Sequence, residues 1–145
     1  MNNRLYNLRE DNDLYQKDIA KVVGIKARTY SSWETGNKII PLKHLNTLCN
    51  YYDVSMDYVL VLYNTKGNSK IRKIKTLNKI EIGKRIKMIR EKYNLTVRDL
   101  ANKLNTTPST ISAYENGKTL ILTAFAYQIC KEYNVSLDWL CCRIK

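Results

Sequence analysis

The segment TYSSWETGN at residues 29 to 37 returns as TISAYENGK at residues 110 to 118. A shift of 81 residues lays Arg4 to Val59 on Arg85 to Leu140 without a gap. Identical pairs run along the whole alignment, among them Leu14 with Leu95, Ala20 with Ala101, Thr29 with Thr110, Gly36 with Gly117 and Asp57 with Asp138. A repeat of this length marks a duplicated folding unit. It divides 145 residues into two domains, 1–63 and 81–145, joined by a segment at 64–80. Each domain lies near the lower size limit for independent folding.

Within each copy the apolar residues recur every three or four positions. Leu5 and Leu8, Ile19 and Val23, Tyr30 and Trp33, then Leu45, Leu48 and Tyr52 carry the pattern in copy one. Ile86 and Ile89, Leu100 and Leu104, Ile111 and Tyr114, then Ala126, Ile129 and Tyr133 repeat it. This is the spacing of one helix face. Gly24, Gly36 and Pro41 interrupt it in copy one, Asn105 and Gly117 in copy two. The pattern predicts an all-α fold of five short helices per copy with no sheet. The last helices are expected at 55–62 and 136–142, with Ser55 and Ser136 as N-caps.

The net charge of +12 is concentrated between the copies. Residues 66 to 92 hold 11 Lys and Arg against 2 Asp and Glu, whereas the flanking stretches are nearly balanced. Such a run attracts phosphates, acidic lipid or acidic protein. The segment 64–80 opens with turn-forming Asn, Gly and Ser, and its later part is expected to extend the first helix of copy two. Fully extended, its 17 residues reach at most about 56 to 61 Å; as a flexible coil they span roughly 21 to 25 Å.

Several classes of function are disfavoured. Cys49, Cys130, Cys141 and Cys142 lack C-x-x-C spacing and have only His44 to join them, so neither a metal site nor a disulfide framework is expected. A single His and the lack of a Gly-rich phosphate loop speak against an enzyme, and no cofactor is expected. MNNRLYNLRED has no signal-peptide pattern, and no apolar run is long enough to span a membrane. A reducing cytoplasm is the expected compartment.

Residues 16 to 35 have the makings of two helices joined by a tight turn. Ala20 is small where the second helix must cross the first, and Gly24 tolerates the positive φ of the turn. Ile19, Val23, Ile25, Tyr30 and Trp33 supply the inward apolar positions. Copy two offers Leu100, Ala101, Leu104, Asn105, Ile111 and Tyr114 at the same places, with Thr106 alone breaking the apolar rule. With these residues both copies resemble the Cro-type, or XRE, family of phage-repressor helix-turn-helix domains. The resemblance covers 4–62 and 83–142 and is most specific in REDNDLYQKDIAKVVGI with SWETGN, and in REKYNLTVRDLANKLNTTPSTISAYENGKT with VSLDWL.

That resemblance implies a bacterial or phage protein binding double-stranded DNA through the second helix of the motif, usually as a two-fold dimer in transcriptional repression. It also implies structural ion pairs, Arg9 with Glu34 and Arg90 with Glu115, and a phosphate contact at Gln16. Side chains pointing away from the core of the recognition helix are Ala27, Arg28, Thr29 and Ser32 in copy one. Arg28 is the best base reader, because its fork can donate twice to guanine O6 and N7. Lys26, Asn37 and Lys38 flank it as phosphate contacts.

Copy two is the poorer reader. Its outward set is Pro108, Ser109, Ser112 and Ala113, and Val97 replaces the Gln. Thr107 and Pro108 make a sound helix start, and Arg98, Lys118 and Thr119 remain for phosphates. Lys66, Lys70, Arg72, Lys73, Lys75 and Lys79 are expected to track a phosphate backbone between two bound domains. The expected function is a DNA-binding transcriptional repressor working as a homodimer or an intramolecular pseudo-dimer. The rival is an antitoxin-like or immunity-type module whose second domain holds a partner protein or dimerises.

Overall fold

The computed structural model describes residues 1–145 except Thr65, Asn68 and Ser69. Among the described residues it contains ten helices and no strand. They fall into two units, Met1–Lys75 and Thr76–Lys145.

Unit 1 holds α1 (Leu5–Asp11), α2 (Gln16–Val23), α3 (Ala27–Glu34), α4 (Leu42–Tyr52) and α5 (Met56–Val59). Of the apolar faces anticipated from the spacing, Leu5, Leu8, Ile19, Tyr30, Trp33, Leu45 and Leu48 are buried in one core with Ala20, Met56 and Val59, while Val23, Ile25 and Tyr52 are half-buried at its edge. Gly24 ends α2 at φ 80, a left-handed conformation that costs a residue without a Cβ nothing sterically. The Ser55 Oγ accepts from the Tyr58 N–H at 2.9 Å and caps α5.

Unit 2 repeats the order with α6 (Lys79–Lys92), α7 (Val97–Lys103), α8 (Pro108–Glu115), α9 (Thr123–Tyr133) and α10 (Leu137–Leu140). Asn105 takes the left-handed turn at φ 56, and the Ser136 Oγ accepts from the Trp139 N–H at 3.2 Å. Both final helices are four residues long, shorter than the sequence spacing suggests. In unit 1 the chain then turns back at Val61, whose φ is 61; in unit 2 it does so at Cys142, whose φ is 65.

α6 has 14 residues where α1 has 7. Asn78 starts it by accepting the Ile80 and Glu81 N–H groups on Oδ1 at 3.0 and 3.2 Å. The added turns pack against α8 at Gly83, where a Cβ would collide with the backbone of Tyr114 and Glu115.

Two further devices tie first helix to last. The Arg4 Nη1 donates to the Tyr58 and Tyr63 carbonyls at 2.6 and 3.0 Å, with its guanidinium 4.3 Å from the Tyr58 ring centroid. Arg85, its counterpart, donates to the Trp139 and Ile144 carbonyls and lies over the Trp139 ring. In unit 2 Arg143 is fully buried with its Nε donating to Asp138 Oδ1 at 2.9 Å.

The segment 64–80 differs most from expectation. The part at Thr65, Asn68 and Ser69 lies outside the described residues. Of the rest, Lys66 to Lys75 belong to unit 1 and Thr76 to Ile80 to unit 2. The Ser55 N–H donates to the Lys66 carbonyl at 2.6 Å, and Asn46 and Asn50 both donate through Nδ2 to the Ile74 carbonyl, at 2.7 and 2.8 Å. This stretch is a strap bonded to α4 and to the cap of α5. A coil estimate is wrong for it because three donors of unit 1 fix its ends.

Candidate nucleic-acid interface

The local geometry of α2 and α3 follows from Ala20 and Gly24. The buried Ala20 lets α3 cross close to α2, and Gly24 turns the chain between them. Tyr30 and Trp33 point into the core, so Ala27, Arg28 and Thr29 come together on the exposed side at the start of α3. Lys26 precedes the helix in extended conformation without a side-chain cap, leaving the first N–H groups of α3 for an outside acceptor. An anion approaching there meets the positive end of the helix dipole. Lys26, Asn37 and Lys38 are exposed at the two edges of this surface.

Ser32 is half-buried, and its Oγ donates to the Thr29 carbonyl at 2.6 Å. It therefore offers a partner its lone pairs rather than its proton. Gln16 also departs from the free phosphate ligand expected of it. Its Nε2 donates to Glu34 Oε2 at 3.0 Å, leaving one amide hydrogen for an outside group.

Glu34 is the hub behind this surface. Arg9 donates to it from Nε to Oε1 at 2.6 Å and from Nη2 to Oε2 at 3.2 Å, while the Arg9 Nη1 holds the Leu14 carbonyl at 2.8 Å. Burial opposes ionisation of Glu34, but the hydrogen bonds from Arg9 and Gln16 win and hold its carboxyl below the usual range. Burial pushes the Tyr30 phenol well up, with the Glu34 charge beside it adding to the shift. The clamp thus fixes the end of α3 against α1 and the start of α2.

In unit 2 Arg90 and Glu115 repeat the clamp, with Nε to Oε2 at 2.7 Å, Nη2 to Oε1 at 2.9 Å and Nη1 to the Leu95 carbonyl at 2.8 Å. Thr107 caps α8 by accepting the Thr110 N–H at 3.2 Å, and Pro108 takes the first helical position. Pro108 and Ser109 are exposed, as are Arg98, Lys118 and Thr119. Ser112 and Ala113 are half-buried, so they do not extend the outer surface as expected. Under the repeat Ser112 matches Ser31, and its Oγ accepts from Asn116 Nδ2 at 3.3 Å. Thr110, the counterpart of the exposed Thr29, is half-buried as well and pairs its hydroxyl with that of Thr107 at 2.9 Å. Val97 is half-buried, and its apolar side chain cannot make the donation that Gln16 makes in unit 1.

A model of the family described as "Helix-turn-helix" matches residues 5–59, and one described as "Helix-turn-helix domain" matches residues 83–142. The chain is a tandem pair of XRE-family helix-turn-helix domains. Among its relatives is an uncharacterised HTH-type transcriptional regulator, YobD of Bacillus subtilis (strain 168), 39% identical over 59 residues. That match spans 41% of this chain and 53% of YobD, about half the length of the relative. Two crystal structures of the clp gene regulator ClgR from Corynebacterium glutamicum align at 20% identity over 44% of this chain, with TM-scores of 0.41 and 0.40. They cover 68% and 83% of the respective ClgR chains.

The two helix-turn-helix domains share a scaffold and differ in what they present. The first displays Arg28 between Ala27 and Thr29; the second displays Ser109 in place of Arg28. The second helix-turn-helix domain carries a largely apolar groove of about 500 Å³ lined by Met88, Ile89, Tyr93, Val135 and Trp139, with Lys92 and Ser136. Met88 is 58% exposed and Tyr93 43%, and their counterparts in the first domain are Asn7 and Asn12. Cys141 is buried, and burial pushes its thiol well up, which makes it a core side chain rather than a reactive one. Among the described residues no helix is long and apolar enough to cross a membrane.

Proposed function

We propose that this tandem helix-turn-helix protein is a transcriptional repressor in which α3 enters the major groove of duplex DNA and Arg28 reads a guanine. The observation that carries this is the exposed cluster of Ala27, Arg28 and Thr29 at the uncapped start of α3, with Lys26, Asn37 and Lys38 at its edges. A guanidinium there can donate two parallel hydrogen bonds to guanine O6 and N7. The flanking cations and N–H groups suit phosphates and set register without reading sequence. The description of YobD as a transcriptional regulator supports the same assignment.

The second domain adds phosphate contacts through Arg98, Lys118 and Thr119 and, with fewer base-reading groups than the first, selects a weaker half-site of its own. Two covalently joined domains can occupy two half-sites as a pseudo-dimer. Repression needs only occupancy of promoter DNA. A reporter fused to the region upstream of the protein's own gene tests this: expression should rise when the gene is deleted and fall when it is restored. Expression that drops on deletion contradicts repression.

The groove at Met88 and Tyr93 favours a second reading, in which the second domain pairs with a second copy of the chain. Sedimentation of a Met88→Ser, Tyr93→Ser variant against wild type separates the two. A wild-type dimer that becomes a monomer supports pairing there, and a monomer in both cases rejects it.

A further inference from the structure

The strap on the first domain lies outside the repeated segment, Arg4 to Val59. Its ends are fixed, at Lys66 by the Ser55 N–H and at Ile74 by two side-chain amides converging on one carbonyl. Asn46 is 1% exposed although it is an amide on a helix surface, because the strap lies over it. Ile71 and Ile74 are half-buried, and Lys73 Nζ stands 3.5 Å from Asp53 Oδ1. Where the first copy has Asn46 and Asn50, the second has Tyr127 and Lys131. The amide pair is therefore particular to the copy that precedes the connection.

Beyond Ile74 only Lys75, Thr76 and Leu77 remain before Asn78 caps α6. Four residues from Ile74 to Asn78 reach at most about 13 to 14 Å, against about 56 to 61 Å for a free segment of the full length. One added base pair shifts a half-site by about 3.4 Å along the axis and by about a tenth of a turn around it. A tether this short penalises both displacements, and a long coil absorbs them.

We infer that Asn46 and Asn50 are spacing-determining residues: by holding the strap at the Ile74 carbonyl they shorten the tether and restrict the protein to paired half-sites at one separation. This rests on the proposal that both domains contact one duplex. Neither residue touches the DNA surface; each acts through the strap.

The test uses the full chain with Asn46→Ala and Asn50→Ala combined, and two readouts. The first is the rate of trypsin cleavage after Lys73 and Lys75 without DNA, which should rise about tenfold or more on loss of the two hydrogen bonds. The second is selection from a duplex library with two randomised half-sites and spacers covering about 20 bp. Wild type should enrich one spacing within a base pair, and the variant a broad range. A second variant with Gly-Ser-Gly-Ser inserted between Lys75 and Thr76 keeps both amides and should broaden the range as well. It carries the test if circular dichroism shows the double variant unfolded.

Equal cleavage of wild type and a folded double variant overturns the docking. Faster cleavage with an unchanged sharp spacing profile in both variants overturns the spacing role. Faster cleavage with no paired-site enrichment even in wild type overturns the two-domain reading, and the spacing role with it, while the docked strap stands.

Discussion

Arg9 and Glu34 are joined by two hydrogen bonds, at 2.6 and 3.2 Å, that tie α1 to the end of α3. Their side chains are 9% and 4% exposed, so neither charge has water to fall back on. Breaking one side of a buried pair is more damaging than replacing both, because the survivor is left charged and unpaired. Glu34→Ala should therefore cost about 3 kcal/mol and lower the melting temperature of unit 1 by more than about 10 °C. Calorimetry of the full chain checks this; an unmoved unit 1 transition would show that the pair does not hold the fold.

The same carboxylate gives acid sensitivity with a defined sign. Its folded pKa lies below the ordinary 4.5, so the stability it adds is complete above that value and is lost as the pH falls through the lower folded value. His44 is also depressed, from 6.5, by burial and then by Lys43, so its contribution fades as the pH drops below 6.5. Urea unfolding at a series of pH values should show both limbs. His44→Asn should remove the upper one, and its persistence would clear His44.

Gly24, at the turn after α2, and Gly83, where α6 meets α8, should respond differently to a methyl group. At Gly24 nothing lies within 4 Å of the added Cβ, so Gly24→Ala costs only the left-handed backbone, about 1 to 2 kcal/mol. At Gly83 the Cβ would stand 2.7 Å from the Glu115 carbonyl oxygen, so Gly83→Ala must part α6 from α8. That should lower the unit 2 transition further than Gly24→Ala lowers that of unit 1, as overpacking allows about 1 to 3 kcal/mol or more. Equal small shifts would mean that the α6 and α8 backbones yield easily.

Replacing Lys70, Arg72, Lys73 and Lys75 with Ser keeps the Ile74 carbonyl and removes four cations. If all four meet phosphates, the slope of log K against log salt should flatten by about 3 to 4. Fluorescence anisotropy on duplex DNA measures it. An unchanged slope would leave the strap as a tether with no electrostatic part in binding.

Most of the scaffold was legible because it is written in local pattern. Helix faces, the turns at Gly24 and Asn105, and the caps at Ser55, Ser136 and Thr107 each depend on neighbours within a few residues. The devices that escaped notice join residues far apart without any period. Arg4 meets carbonyls 54 and 59 residues away, and the strap is held through a backbone oxygen that any residue supplies. Asn46 and Asn50 did leave a trace, as amides in the first copy where the second has Tyr127 and Lys131. At the candidate interface, Arg28 follows from helical phase alone. The engagement of Gln16 with Glu34 does not, since a long polar side chain near a surface has no fixed direction in sequence.

Selection from a random duplex library at about 150 mM salt, where nonspecific phosphate binding is weakened, tests the assignment of α3 most directly. Wild type should enrich a half-site with a fixed guanine. Arg28→Ala should lose that preference, and about 1 to 3 kcal/mol of affinity for the site, with its melting temperature unchanged. The same fixed guanine selected by a folded Arg28→Ala protein, or no enrichment by wild type, would contradict the account.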